Sequence, residues 1–315
     1  MSLLKYVAFA ILPSFLKKFL LRIKGAKIGR NVKIGHLTYI KCKELEIGDN
    51  VVIGHHCNIR CDRLSLGNNI IIGSYVKIDA FEVRIGSDSA INDEVIIGGW
   101  ISKESVFVMG KRCILMMRSF VNTARPVIFE DDVGVGGHCL LFTHAVWQSR
   151  FDGYPVRYGG ITLRRGVWLP WGVFVMPGVE IGEGSTIGAC SLVTKNIPPK
   201  SLAVGVPAKV VKTAPDYPEN LDKCSKEAIL SEILMAFSEH LRFNGIASDF
   251  EKKDDRIVVH SCGINVIYIR SGRVKSSNRG DVIIIFDSTD SDRNNVNVYW
   301  VNLSSKKACL GSSAR

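Results

Sequence analysis

Seven histidines are the residues of this chain best able to move a proton near neutral pH, because an imidazole with a pKa of about 6.5 can take one and return it. One of them, His144, stands at the start of a segment, FTHAVWQSRFDGYPVRYGG, that interrupts an otherwise regular pattern. The same segment carries Trp147, Arg150, Asp152, Tyr154, Arg157 and Tyr158. Loops held on a rigid scaffold are favoured places for chemistry. His36 and His55 are the other pair whose spacing matters, since a metal site needs imidazoles brought together. The nine cysteines contain no CxxC pair, and an odd number without a secretory leader argues against a disulfide framework and for a reducing compartment.

The interrupted pattern is a run of large aliphatic residues six positions apart: Ile28, Ile34, Ile40, then Ile47, Ile53, Ile59, then Leu66, Ile72, Ile78, then Ile85, Ile91, Ile97. Three hexads and one extra residue make a 19-residue unit. The period is less regular through Met109, Leu115 and Val121, returns at Phe129, Val135 and Leu141, and runs from Leu163 to Val193. Residues six apart cannot share one helical face, whereas short strands joined by bends can all turn them inward. A second column four positions after the first is small or β-branched, as a narrow core requires, and it holds Cys57, Cys113 and Cys139, which read as buried hydrophobes. His36 and His55 then stack on adjacent coils, in a column that continues as Ser74 and Asp93, while His138 and His144 fall on different faces. No third ligand converges, so no metal is expected and His36 and His55 read as surface residues.

The run LRRGVWLPWGVFVMPGVEIGEGSTIGACSLVTKNIPPKSLAVGVPAKVVK resembles the C-terminal signature of the galactoside, serine and capsule-type O-acetyltransferases, and the hexads resemble the left-handed parallel β-helix of that hexapeptide-repeat family. The resemblance implies an acetyl-CoA-dependent acyltransferase that acetylates a hydroxyl of a sugar or surface-polysaccharide precursor. It makes His144 the general base and places Trp171, Ala189, Thr194, Lys195, Lys209 and Lys212 along the coenzyme, the lysines near its phosphates. Asn122, Trp147, Arg150 and Tyr158 are candidate contacts for the acceptor. Trp171 and Cys190 replace the small residues usual in the family, which implies a narrower or reshaped groove. The resemblance also implies a homotrimer with each site between two subunits. Two other readings fit the same coil: a metal-dependent hydratase like the carbonic anhydrases, and a scaffold that has lost activity.

At 315 residues and 46% hydrophobic, the chain has enough for a large core and a smaller unit. Seven of the eleven net positive charges fall in residues 1–30, so the basic balance marks an N-terminal patch and not a nucleic-acid-binding surface. Residues 1–24 are expected to form a basic amphipathic helix that caps the first coil and allows contact with the inner membrane surface. The apolar run between Lys5 and Lys17 falls short of the ~20 residues a membrane span needs, and no cleavage signal follows it, so a cytoplasmic location is expected. The expected organisation is mainly β: a capping helix over 1–24, a β-helix over 25–212, and an α+β accessory domain over 219–315. The last is read from helical spacing over Leu221–Phe243 and strand-like runs at Arg256–His260, Ile264–Arg270, Asp281–Phe286 and Val296–Leu303.

Overall fold

The computed structural model describes residues 9–145, 148–243, 245, 248–253, 256–261, 264–269 and 282–285. Its contacts divide the chain into two units, Met1–Pro218 and Glu219–Arg315.

The first unit is a parallel β-solenoid with three faces. The first face holds the hexads of Ile28, Ile47, Leu66 and Ile85, the second those of Ile34, Ile53, Ile72 and Ile91, and the third those of Ile40, Ile59, Ile78 and Ile97. Strands Asn58–Leu66 and Lys77–Ile85 run unbroken round the edge between the third and first faces. Every aliphatic position from Ile34 to Val193 in the repeat is buried, most of them completely. Each such side chain contributes about 1.5–3 kcal/mol by leaving water.

At the other two edges the bend is made by the third residue after the first-face or second-face aliphatic position, which takes a positive φ. Asn31, Asn50 and Asn69 do this at 53°, 59° and 56°, and their side chains form a ladder up the edge, with Nδ2 of Asn31 donating to Oδ1 of Asn50 at 3.0 Å and that of Asn50 to Asn69 at 3.0 Å. Asn tolerates this backbone better than most residues because its side chain bonds locally. The inward column four positions on is buried throughout, and its polar members share one task. Thr38, Ser89, Ser119 and Ser185 donate to the carbonyls of Gly54, Gly110, Gly136 and Pro198 in the next coil. Cys57, Cys113 and Cys139 do the same to Gly73, Glu130 and Pro170. Burial pushes the Cys113 thiol up to about 12 and that of Cys139 to about 11, so both stay protonated and serve as donors.

The open end of the first coil is closed by helix α1 (Ser14–Ile23). The single helix expected over 1–24 is broken at Pro13, which lacks the N–H that a continuous helix requires. Lys17 is fully buried and its Nζ donates to the Gly35 carbonyl at 2.6 Å, Lys18 reaches Val32 O at 2.9 Å, and Arg22 reaches Ile28 O at 2.8 Å. Three cations thus satisfy carbonyls that have no coil beyond them to pair with. At the other end, Ser201–Val204 pairs antiparallel with Lys209–Thr213, which turns the ladder back on itself and ends the stack.

The second unit contains helix α2 (Lys223–Phe243) and a four-stranded sheet in the order Ser248–Lys253, Arg256–Ser261, Ile264–Ile269, Val282–Ile285. The helix packs on the first two strands and buries Leu230, Leu234, Ser238 and Leu241. The strand Ser248–Lys253 was not expected, since its sequence, SDFEKK, is too polar to read as one. The run Val296–Leu303 lies outside the described residues.

Candidate active site

All variation in the length of the coils occurs at one edge. Steps from the first face to the second and from the second to the third are six residues throughout, as in Ile85, Ile91 and Ile97. The step from the third face to the first is seven residues at Ile78 to Ile85, but longer from Ile97 to Met109, from Val121 to Phe129, and above all from Leu141 to Leu163. Extra chain from three successive coils is therefore gathered on a single edge of the solenoid, and His144 stands there.

His144 leaves the solenoid in a short strand, His144–Ala145, that pairs antiparallel with Arg157–Tyr158 and so closes the base of the long segment. Its Nδ1 lies 3.1 Å from Oδ1 of Asn122, which comes from the coil below, where Val121 pairs with Leu141. Asn122 is 3% exposed, and its Oδ1 also accepts from Thr143 Oγ1 at 2.7 Å and from the Ala124 N–H at 3.1 Å. A backbone N–H can only donate, so it fixes which end of the carboxamide faces His144. The imidazole must then carry its proton on Nδ1, leaving Nε2 with a free lone pair in the neutral ring. The Tyr158 ring lies nearly parallel to the imidazole with centroids 6.2 Å apart, and Phe142 flanks it at 6.2 Å.

A second layer comes from the other two extensions. Arg125 sets its guanidinium over the Tyr158 ring, 4.7 Å from the centroid, and pairs with Glu104 at 2.9 Å. Glu104 belongs to the extra residues after Gly98, which itself pairs with Asn122. Gly99 is obligatory there, because an added Cβ would lie 2.7 Å from Asn122 Nδ2. The same stretch exposes Trp100 and Ile101. Sequence reading missed Glu104, Arg125 and Trp100. Their signal was the lengthened step from Ile97 to Met109, visible only as irregular spacing.

The remaining sequence-derived residues are spread over two edges and the return strand. Thr194 and Lys195 are exposed on the His144 edge, further along the solenoid. Trp171 and Ala189 lie on the edge between the second and third faces, where the Trp171 ring packs on His138 with centroids 4.6 Å apart and fills the space above Gly137. Lys209 and Lys212 are exposed on the return strand beside the second face. The third face therefore separates His144 from Trp171 within one chain. Arg150 stands on an exposed turn, Arg150–Asp152, capped by the Ser149 hydroxyl. Trp147 lies outside the described residues.

A shallow groove of about 350 Å³ on the first face is lined by Glu130, Glu180 and Glu183 around Arg164, a balance unsuited to phosphates. His55 Nδ1 accepts the His36 backbone N–H at 3.0 Å, which ties the two residues into the stack of adjacent coils. Among the described residues no group of three His, Cys, Asp or Glu is placed to hold a metal ion.

The fold and the site together define a hexapeptide-repeat β-solenoid, and the chain resembles acetyltransferases of that class. It is 52% identical over 75 residues to a presumed acetyltransferase of Staphylococcus aureus, covering 24% of this chain and 35% of the relative. Over 127 residues it is 31% identical to the galactoside O-acetyltransferase of Escherichia coli, covering 37% of this chain and 62% of the relative. The chain thus spans about a quarter to a third of the length of the first curated relatives it matches. Among solved structures, a polySia-specific acetyltransferase aligns at 21% identity with a TM-score of 0.42, over 63% of this chain and 82% of that one. No family model matches the chain.

Proposed function

We propose that the protein transfers an acetyl group from acetyl-CoA to a hydroxyl of a sugar or surface-polysaccharide precursor, with His144 as general base. The observation that carries this reading is the His144–Asn122 contact, which presents a lone pair on Nε2 at the edge where three coils contribute extra chain. Nε2 takes the hydroxyl proton as the oxygen forms its bond to the thioester carbon. The C–S bond then breaks, and the imidazolium returns the proton to the coenzyme thiolate. General-base help of this kind is worth ~10²–10⁴-fold in rate.

The coenzyme is proposed to run along Trp171 and Ala189, with Thr194, Lys195, Lys209 and Lys212 near its polar groups. Because His144 and Trp171 lie on different edges of one chain, a complete site takes its groove from a neighbouring copy, and a homotrimer supplies this. Asn122 is read as the positioning residue for His144, and Tyr158 as a wall of the acceptor site. We assign the protein to the cytoplasm, where acetyl-CoA is made, and residues 219–315 to an accessory role in acceptor choice or assembly. The test is a panel of sugar acceptors with radiolabelled acetyl-CoA. His144→Ala is expected to lose at least ~10² in turnover while keeping the solenoid's circular dichroism. Unchanged turnover on an acceptor the wild type uses would remove His144 from this role.

A further inference from the structure

We infer that helix α1 (Ser14–Ile23) is a docking element for a lipid bilayer bearing anionic headgroups, and that it enters the interface through Phe15, Phe19 and Ile23. These side chains are 66%, 59% and 66% exposed and stand four residues apart, so they form one stripe along the helix. The opposite face is spent on the solenoid: Ser14 accepts the Ile34 N–H at 3.0 Å, while Lys17 and Leu21 are buried. Ile11, just before the helix, is also half exposed, at 51%. Exposed aromatic and aliphatic residues in a continuous row mark an interaction surface.

Charge chooses the occupant. Residues 1–43 contain ten Lys or Arg and no acid. Lys24, next to the stripe, is exposed, and neither it nor Arg22, which bonds to carbonyl oxygens, pairs with a carboxylate among the described residues. A row of apolar side chains edged by unopposed cations fits the boundary between headgroups and acyl chains of an anionic membrane. The element does not cross the bilayer, because no described helix is long and apolar enough. The sequence alone places membrane affinity in the lysines and arginines. The structure turns Lys17, Lys18 and Arg22 toward the coil and leaves the apolar side chains to do the docking. This inference does not depend on the acyl-transfer reading.

The test is flotation of the full chain with phosphatidylcholine vesicles and with mixed phosphatidylcholine–phosphatidylglycerol vesicles. Wild type is expected to float with the anionic vesicles only, and less so as salt rises. The triple variant Phe15→Gln, Phe19→Gln, Ile23→Gln should bind them at least about tenfold more weakly, with unfolding temperature and oligomeric state unchanged. Lys24→Gln should weaken anionic binding by a smaller factor. Wild type that floats with neither vesicle, or a triple variant that floats as well as wild type, overturns the proposal. So does a triple variant that turns an oligomer into a monomer in light scattering without changing flotation, which would assign the stripe to contact between copies.

Discussion

The imidazole of His144 and the buried carboxamide of Asn122 come from neighbouring coils and meet at 3.1 Å between Nδ1 and Oδ1. The proposed base is thus aimed from the rigid wall of the solenoid and not from within its own segment. Asn122→Ala removes the carboxamide that holds the proton on Nδ1, and should lower turnover by roughly ten- to a hundredfold, part of what a general base supplies. Asn122→Asp gives a different signature. A carboxylate beside the ring favours the imidazolium, so the acidic limb of the rate profile moves to higher pH. Neither effect would appear if Asn122 only filled space, since both variants would then leave the pH profile in place.

Lys17 links the cap to pH. Its ammonium is buried under α1, and desolvation lowers its pKa from the usual 10.5. Between the lowered value and 10.5 the unfolded chain holds the proton more tightly than the folded one, so this group makes stability rise with pH across that window. The Gly35 carbonyl is satisfied by the Lys17 Nζ at 2.6 Å. Lys17→Met orphans that carbonyl and should destabilise the protein by about 1–3 kcal/mol at pH 7. The gap between wild type and variant should widen as pH approaches 10.5 from below, because only wild type gains there. Urea midpoints at several pH values measure both, and a more stable variant at pH 7 would refute the capping role.

The coil was legible because its information is repeated. Each hexad restates which residue points inward, and Ile34 through Val193 all obey. The sequence also marks the place of His144, since the long step from Leu141 to Leu163 breaks the period. Its partner was less legible. Asn122 precedes His144 by 22 residues, and the contact depends on one coil stacking on another with an added residue between them. Cys42 and Cys61, whose sulfurs lie 3.3 Å apart, are by contrast separated by one 19-residue unit, the spacing that also stacks His36 on His55. Direction was hardest to read at the N-terminus: composition shows that α1 is basic and apolar, but not that its cations face the carbonyls of an unpaired coil edge.

Arg125 is the residue through which the irregular coils should act on the acceptor. It bridges Glu104 and the Tyr158 ring, so it joins the extension after Gly98 to the base of the long segment beside His144. The ion pair itself is half exposed, at 37% and 60%, and such pairs are worth at most about 1 kcal/mol. Glu104→Gln should therefore leave the unfolding temperature almost unchanged. Arg125→Ala also removes the cation over Tyr158, a contact of about 0.5–1 kcal/mol at exposed sites, and frees the ring to leave the imidazole. Since neither side chain touches the His144–Asn122 pair, the expected result is a KM for the acceptor raised by about tenfold, with kcat and the KM for acetyl-CoA little altered. Trp100→Ala, on the same extension, should act in the same direction. An acceptor KM that stays at the wild-type value in both variants would confine recognition to the long segment alone.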